Sequence, residues 1–204
     1  MIYDLSDNDI VLFQGDSITD ADRNREDPAS MGFGYANMAA AMFNASHPFR
    51  RLEFVNRGIG GHKVTDLEAR WDADCIDLNP KLMSILIGIN DAYAGLDIAV
   101  FEKSYRKILG RVRKELETEV ILIEPFLLPV SDNYDEIRAR LWREIEVVRR
   151  LAREFSCGLI AMDGMFADVS TMQEPGYWSP DGVHLTPSGS ALVAKAWLQA
   201  VGAE

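Results

Sequence analysis

Val11-Leu12-Phe13-Gln14-Gly15-Asp16-Ser17-Ile18-Thr19-Asp20 runs from apolar residues straight into a glycine, an acid and a hydroxyl. Residues 10–13 form a short apolar run bounded by a turn signal, the pattern of a buried strand. Gly15 permits a sharp turn, and Asp16, Ser17 and Thr19 prefer caps and turns to a strand interior. The run therefore sets a serine at the carboxyl end of a strand, the edge at which open α/β sheets hold their ligands. Read alone, the same stretch is an ordinary helix N-cap, so the choice falls to partners elsewhere in the chain.

Outward from this strand the pattern alternates. Residues 22–30 are polar and charged and are closed by Gly32 and Gly34, which reads as a surface loop. Residues 35–46 have helical spacing and stop near Pro48. A second strand over 52–55 leads into the glycine-rich turn Asn56-Arg57-Gly58-Ile59-Gly60-Gly61-His62, followed by an amphipathic helix over 64–74 with Val64, Leu67 and Trp71 on one side. Leu82-Met83-Ser84-Ile85-Leu86-Ile87-Gly88-Ile89 is nearly unbroken apolar sequence, as in a central parallel strand covered on both faces, and it ends in Asn90-Asp91. A helix over 101–116, a strand over 120–123, a long charged helix over 135–155, a short strand over 159–162 and a final helix over 188–201 complete the chain. Ile137, Leu141, Ile145, Val148 and Leu151 make one apolar stripe on the long helix, so its Arg and Glu residues read as a solvated face. Strands alternating with helices predict an α/β chain: a three-layer α/β/α sandwich around a five-stranded parallel sheet in flavodoxin-like order, one domain over 1–204.

Composition narrows the function classes. The 204 residues are 48% apolar, and the net charge of -11 argues against a nucleic-acid or anionic-membrane surface, which needs clustered Lys and Arg. Residues 1–9 lack a basic segment followed by an apolar one, and no apolar run approaches the ~20 residues of a membrane span. Cys75 and Cys157 are too few for a disulfide scaffold and read as reduced structural residues. A cytoplasmic protein is expected.

Every strand of such a sheet ends at one edge, so Ser17, the turn at Gly61, Asn90 and the loop Trp178-Ser179-Pro180-Asp181-Gly182-Val183-His184-Leu185-Thr186-Pro187 should meet there. Gly15-Asp16-Ser17, the turn ending in Gly60-Gly61, Gly88-Ile89-Asn90-Asp91 and Asp181-Gly182-Val183-His184 resemble, in order, the four blocks of the SGNH (GDSL-type) hydrolase family. The resemblance spans almost the whole chain. Within the family, Gly15 to Asp20, the Asn56-Arg57-Gly58-Ile59 lead-in and the Trp71 segment are similar to bacterial intracellular acetylxylan esterases.

The resemblance implies a serine esterase without a cofactor. Ester hydrolysis requires a nucleophile, a base for its proton and donors aimed at the oxygen that becomes negative. Ser17 supplies the hydroxyl, His184 the base, and Asp181 the carboxylate that orients the imidazole. The family's oxyanion donors map to the N–H of Ser17, the N–H of Gly61 and the side-chain amide of Asn90. Gly60 stands where relatives often carry a serine, and Gly61 is read as the donor. Asp181 and His184 also read as half of a metal site, but His47 and His62, the only histidines left to complete it, lack ligand spacing, so no metal is expected.

Asp16, His62, Tyr177 and Trp178 are candidate substrate contacts, the last two as a flat apolar surface for a sugar ring. The implied substrate is a small acyl ester, with acetylated xylo-oligosaccharides leading. A longer acyl ester, a thioester and a lysophospholipid stay open, and relatives of this size often assemble, which leaves a homo-oligomer open. The alternative from another class is a non-catalytic flavodoxin-like module with Gly58 to Gly61 as a phosphate cradle; Lys63 stands where a dinucleotide fingerprint would place its third glycine.

Overall fold

The computed structural model describes residues 5–203, and the reading of residues 1–4 as free of a leader lies outside them. Five strands, β1 (Ile10–Gly15), β2 (Glu53–Asn56), β3 (Leu82–Leu86), β4 (Glu119–Ile123) and β5 (Gly158–Ile160), form one sheet in the order β2-β1-β3-β4-β5. Every pairing is parallel. The expected architecture and strand order are both present. Between β1 and β3 the winding reverses direction, and Gly15 pairs with Leu86 at the carboxyl ends of these two strands. That reversal opens a crevice, which is where this class of sheet binds ligands.

The helices are α1 (Ser17–Asp20), α2 (Tyr35–Ser46), α3 (Val64–Ala69), α4 (Ile89–Ala94), α5 (Ile98–Glu115), α6 (Tyr134–Glu154), α7 (Met162–Val169), α8 (Pro175–Trp178) and α9 (Pro187–Val201). Alternating strand residues divide the core. Val11, Phe13, Leu82, Leu86, Ile121 and Ile123 pack with α2 and α9 on one face, while Leu12, Met83, Ile85, Val120 and Leu122 pack with α3 and α5 on the other. The stripe on α6 reaches both: Ile137, Leu141 and Ile145 join the first cluster, and Val148 and Leu151 the second. Ser84, a hydroxyl within a buried strand, is explained by Trp197, whose Nε1–H donates to it at 2.7 Å. Cys75 is buried and Cys157 half-buried, and neither is in a disulfide.

Several boundaries differ from the sequence reading for local reasons. The apolar run over 82–89 leaves the sheet after Leu86, because Gly88 at φ 140° turns the chain and Ile89 starts α4. The helix expected over 64–74 ends at Ala69 and is followed by a π-helical turn, Asp72–Ile76. The helix expected to start at Phe101 begins at Ile98, because the Asp97 side chain caps it by accepting from the Ala99 N–H at 2.7 Å. The last strand ends at Ile160, and Met162, expected to close it, opens α7.

One buried group on α6 sets a stability prediction. Glu144 is 2% exposed, and its Oε2 has no hydrogen-bond partner among the described residues. Burial, with a smaller contribution from Asp91, pushes its carboxyl up to about 9. Because the folded value lies above the unfolded one, this group disfavours folding increasingly as pH rises from about 4.5 towards 9. Glu144→Gln should therefore raise stability by up to about 5 kcal/mol at pH 8 and leave it nearly unchanged at pH 4. Urea midpoints across that range check this; a variant whose pH slope matches the parent's contradicts it.

Candidate active site

The loop after β1 is shaped by two residues. A Cβ on Gly15 would lie 2.3 Å from Thr19 Oγ1 and 2.4 Å from the Leu86 carbonyl oxygen. Glycine is needed here for close packing of α1 against β3 rather than for the turn expected from the sequence, since its φ is not positive. Asp16 turns inward and caps α1, accepting from the Ile18 N–H at 3.0 Å. It is 1% exposed, and burial raises its carboxyl to about 7 against the lowering effect of that cap and of His184. Ser17 is thereby the first residue of α1, with its hydroxyl on the cleft side.

The loop before α9 brings its own geometry. Asp181 Oδ1 accepts from the backbone N–H of Val183 at 2.9 Å and of His184 at 2.7 Å, folding the loop around the carboxylate. Its Oδ2 lies 2.6 Å from His184 Nδ1. With Nδ1–H donating to that oxygen, Nε2 is left to accept from the Ser17 hydroxyl 3.0 Å away. Burial alone would raise the Asp181 carboxyl, but the His184 hydrogen bond, the two N–H groups and the imidazole charge together hold it at about 2. Outside, Ser179 donates to the His184 carbonyl at 2.8 Å, and the Leu128 N–H donates to the Gly182 carbonyl at 2.9 Å.

The glycine turn and the start of α4 complete the rim. The Gly60 N–H donates to Asp20 Oδ2 at 2.9 Å, whereas the N–H groups of Ser17 and Gly61 have no partner among the described residues. Gly61 sits at φ 81°, the left-handed region in which glycine is at ease. Asn90 donates one amide hydrogen to the His62 carbonyl at 3.1 Å, and its second has no protein acceptor among the described residues. Asp91, beside it, accepts from the Val64 N–H at 3.1 Å and so ties the start of α3 to α4. Burial raises this carboxyl to about 7. Arg70 holds the turn from behind, donating to the carbonyls of Arg57 at 2.7 Å and Gly15 at 3.3 Å and to His62 Nδ1 at 3.3 Å.

These elements enclose a cleft of about 390 Å³ whose lining includes Ser17, Ile18, Asp20, Asp22, Arg25, Phe33, Gly60, His184 and Leu185. Ser17 and His184 thus face one cleft with Asp181 behind the imidazole, Gly60 stands in the wall next to Gly61, and Asn90 is tied to the same turn through the His62 carbonyl. Asp16, His62, Tyr177 and Trp178, expected as substrate contacts, are absent from that lining, as are Gly61, Asn90 and Asp181. Asp16 is committed to capping α1. The His62 ring accepts from Arg70, and burial, with the nearby guanidinium, lowers its affinity for a proton. Tyr177 and Trp178 meet edge to face on α8, where the Tyr177 hydroxyl receives a hydrogen bond from Ser188. Asp20, Asp22, Arg25 and Phe33 were not legible as cleft residues, because the segment reads as polar surface; the one signal was an aromatic between Gly32 and Gly34. Among the described residues no group of three His, Cys, Asp or Glu side chains is placed to hold a metal ion.

Comparison with known proteins agrees with this arrangement. The profile of the GDSL-like lipase/acylhydrolase family matches residues 13–192. An acetylxylan esterase from Geobacillus stearothermophilus is 31% identical over 207 residues, covering 95% of this chain and 94% of that protein. The crystal structure of a GDSL-like lipase from Parabacteroides merdae superposes with a TM-score of 0.95 at 30% identity, covering 100% of both chains. That of Axe2, an acetylxylan esterase from G. stearothermophilus, does so with a TM-score of 0.88 at 28% identity, covering 97% of this chain and 95% of that one. Structures of catalytic mutants of Axe2 replace a serine, a histidine or an aspartate with alanine. With a family match over most of its length and a parallel sheet that ends in this hydroxyl, imidazole and carboxylate, the chain belongs to the GDSL-like lipase/acylhydrolase family and is a serine ester hydrolase.

Proposed function

We propose that the protein removes short acyl groups, acetyl above all, from sugar hydroxyls, with Ser17, His184 and Asp181 as the catalytic residues. The observation that carries this is the unbroken chain from Ser17 Oγ to His184 Nε2 at 3.0 Å and from Nδ1 to Asp181 at 2.6 Å. Ser17 Oγ attacks the ester carbonyl while its proton passes to Nε2, and the imidazolium formed is held by Asp181. The carbonyl oxygen becomes negative beside the N–H groups of Ser17 and Gly61 and the free amide hydrogen of Asn90. His184 then returns the proton to the departing sugar oxygen. Water repeats the sequence on the acyl-enzyme and releases the acid.

Three features support an acetylated sugar over the other esters. The relatives include acetylxylan esterases. Asp20 and Asp22 line the cleft, and the guanidinium of Arg25 is bonded to Asp20, so the phosphates of an acyl-CoA or a lysophospholipid would meet net negative charge. Ile18, Ala21 and Leu185 offer apolar area beside the nucleophile on the scale of a short acyl group. Acetate release from acetylated xylo-oligosaccharides should exceed hydrolysis of the matching octanoyl esters by about 100-fold in kcat/KM. Equal or better activity on octanoyl esters overturns the acetyl preference.

A further inference from the structure

We infer that the loop from Ala21 to Gly34 forms the leaving-group subsite, with Phe33 as a platform for a pyranose ring and Asp22 and Arg25 as its hydrogen-bonding edge. This rests on the sugar-ester reading above and assigns residues that contact the part of the substrate that departs.

Phe33 carries the argument. It is 79% exposed although it lines the cleft that holds Ser17 and His184. A loose loop would explain such exposure, but this loop is fastened along its length. The Phe33 N–H donates to the Ala21 carbonyl at 2.8 Å. Asn56, at the end of β2, donates to the carbonyls of Thr19 at 2.6 Å and Met31 at 2.9 Å. Arg23 reaches across to the Gly58 carbonyl at 3.0 Å, and the Asn24 N–H donates to Ser30 Oγ at 2.9 Å. Ala21 and Asp22 both adopt left-handed backbone, at φ 44° and 58°; aspartate tolerates this region, whereas alanine does not favour it. Gly32 fits beneath them only because it lacks a side chain: a Cβ there would lie 2.4 Å from the Asp20 carbonyl oxygen. Strain that the surroundings hold in place is concentrated at ligand clamps.

The chemistry of this wall suits a neutral polyhydroxy ring. The face of Phe33 is free for the apolar C–H face of a sugar, while the ring edge remains accessible to groups that accept and donate. Asp22 offers carboxylate oxygens. Arg25 donates to Asp20 Oδ2 and keeps further N–H groups at the cleft wall, and the same Asp20 oxygen accepts from the Gly60 N–H. The sugar side is thereby joined through one carboxylate to the glycine turn that presents Gly61. Binding energy from a non-reacting ring can be used to orient the ester over Ser17.

The test compares kcat/KM on acetylated methyl β-xyloside with that on ethyl acetate, which lacks a ring, in the parent, Phe33→Ala, Phe33→Leu and Phe33→Trp. The ratio should fall about 10-fold in the alanine and leucine variants, chiefly through KM on the sugar ester, and be kept within about 3-fold by tryptophan. On a Ser17→Ala background, calorimetric binding of the acetylated xyloside should weaken in the same order. A parent enzyme that prefers the sugar ester, with a ratio unaltered by Phe33→Ala, overturns the subsite alone. A leucine variant that matches tryptophan overturns ring stacking. A parent with no preference for the sugar ester overturns the substrate reading and the subsite with it.

Discussion

Ser17→Ala is expected to lower kcat on an acetyl ester by about a million-fold, the scale on which loss of the nucleophile acts in serine hydrolases. The reason is local. Alanine at this position leaves the Asp16 cap to the Ile18 N–H in place, so α1 and the cleft should persist. His184→Ala should approach the same loss, because residues that act as a unit do not add, and the double variant should be no slower than either single one. Steady-state rates on the two single variants and the double variant check this. A double variant slower by the product of the two effects would mean that the hydroxyl and the imidazole act independently.

Asn90→Ala is the second large effect, expected at about 100- to 1,000-fold in kcat with KM little changed. Asn90 donates one hydrogen to the His62 carbonyl, and in the proposed mechanism its second hydrogen serves charge that exists only once the carbonyl has been attacked. Loss of the first bond adds about 1 kcal/mol of instability, which a denaturation curve reads separately from the rate. A loss of affinity at unchanged kcat would place Asn90 in ground-state binding instead. The position of this amide depends on neighbours that touch no substrate. Asp91 fastens the start of α3 to α4, and Arg70 ties the end of β1 and the carbonyl of Arg57 to the glycine turn, so the segments that carry Asn90 and Gly61 are fixed by these two side chains.

The sheet was legible because each of its inner strands is a short apolar run between turn signals, and parallel strands covered on both faces need no polar alternation. Short helices were not. α7 and α8 are 8 and 4 residues long, too short for a helical period to emerge, and α3 ends at Ala69 although its apolar spacing continues to Trp71, just before the π-helical turn Asp72–Ile76. In the candidate site, the connected Ser17, His184 and Asp181 could be read because a strand end and a loop carried polar residues where the family pattern has them. Orientation was invisible. Nothing in the order of residues says that Asp16 turns into the protein to cap a helix while its neighbour faces the cleft, or that the His62 ring is held by an arginine eight residues later. The cleft wall at Asp22, Arg25 and Phe33 was missed because a polar, charged segment reads as surface, and surface is also where a sugar would be met.

Labelling with a fluorophosphonate, followed by peptide mass spectrometry, reads directly whether the Ser17 hydroxyl is activated by His184. A single covalent adduct on Ser17 is expected, formed rapidly in the parent and at least about 1,000-fold more slowly in His184→Ala. An adduct on another residue, or an unlabelled Ser17 in protein that still hydrolyses esters, would contradict it.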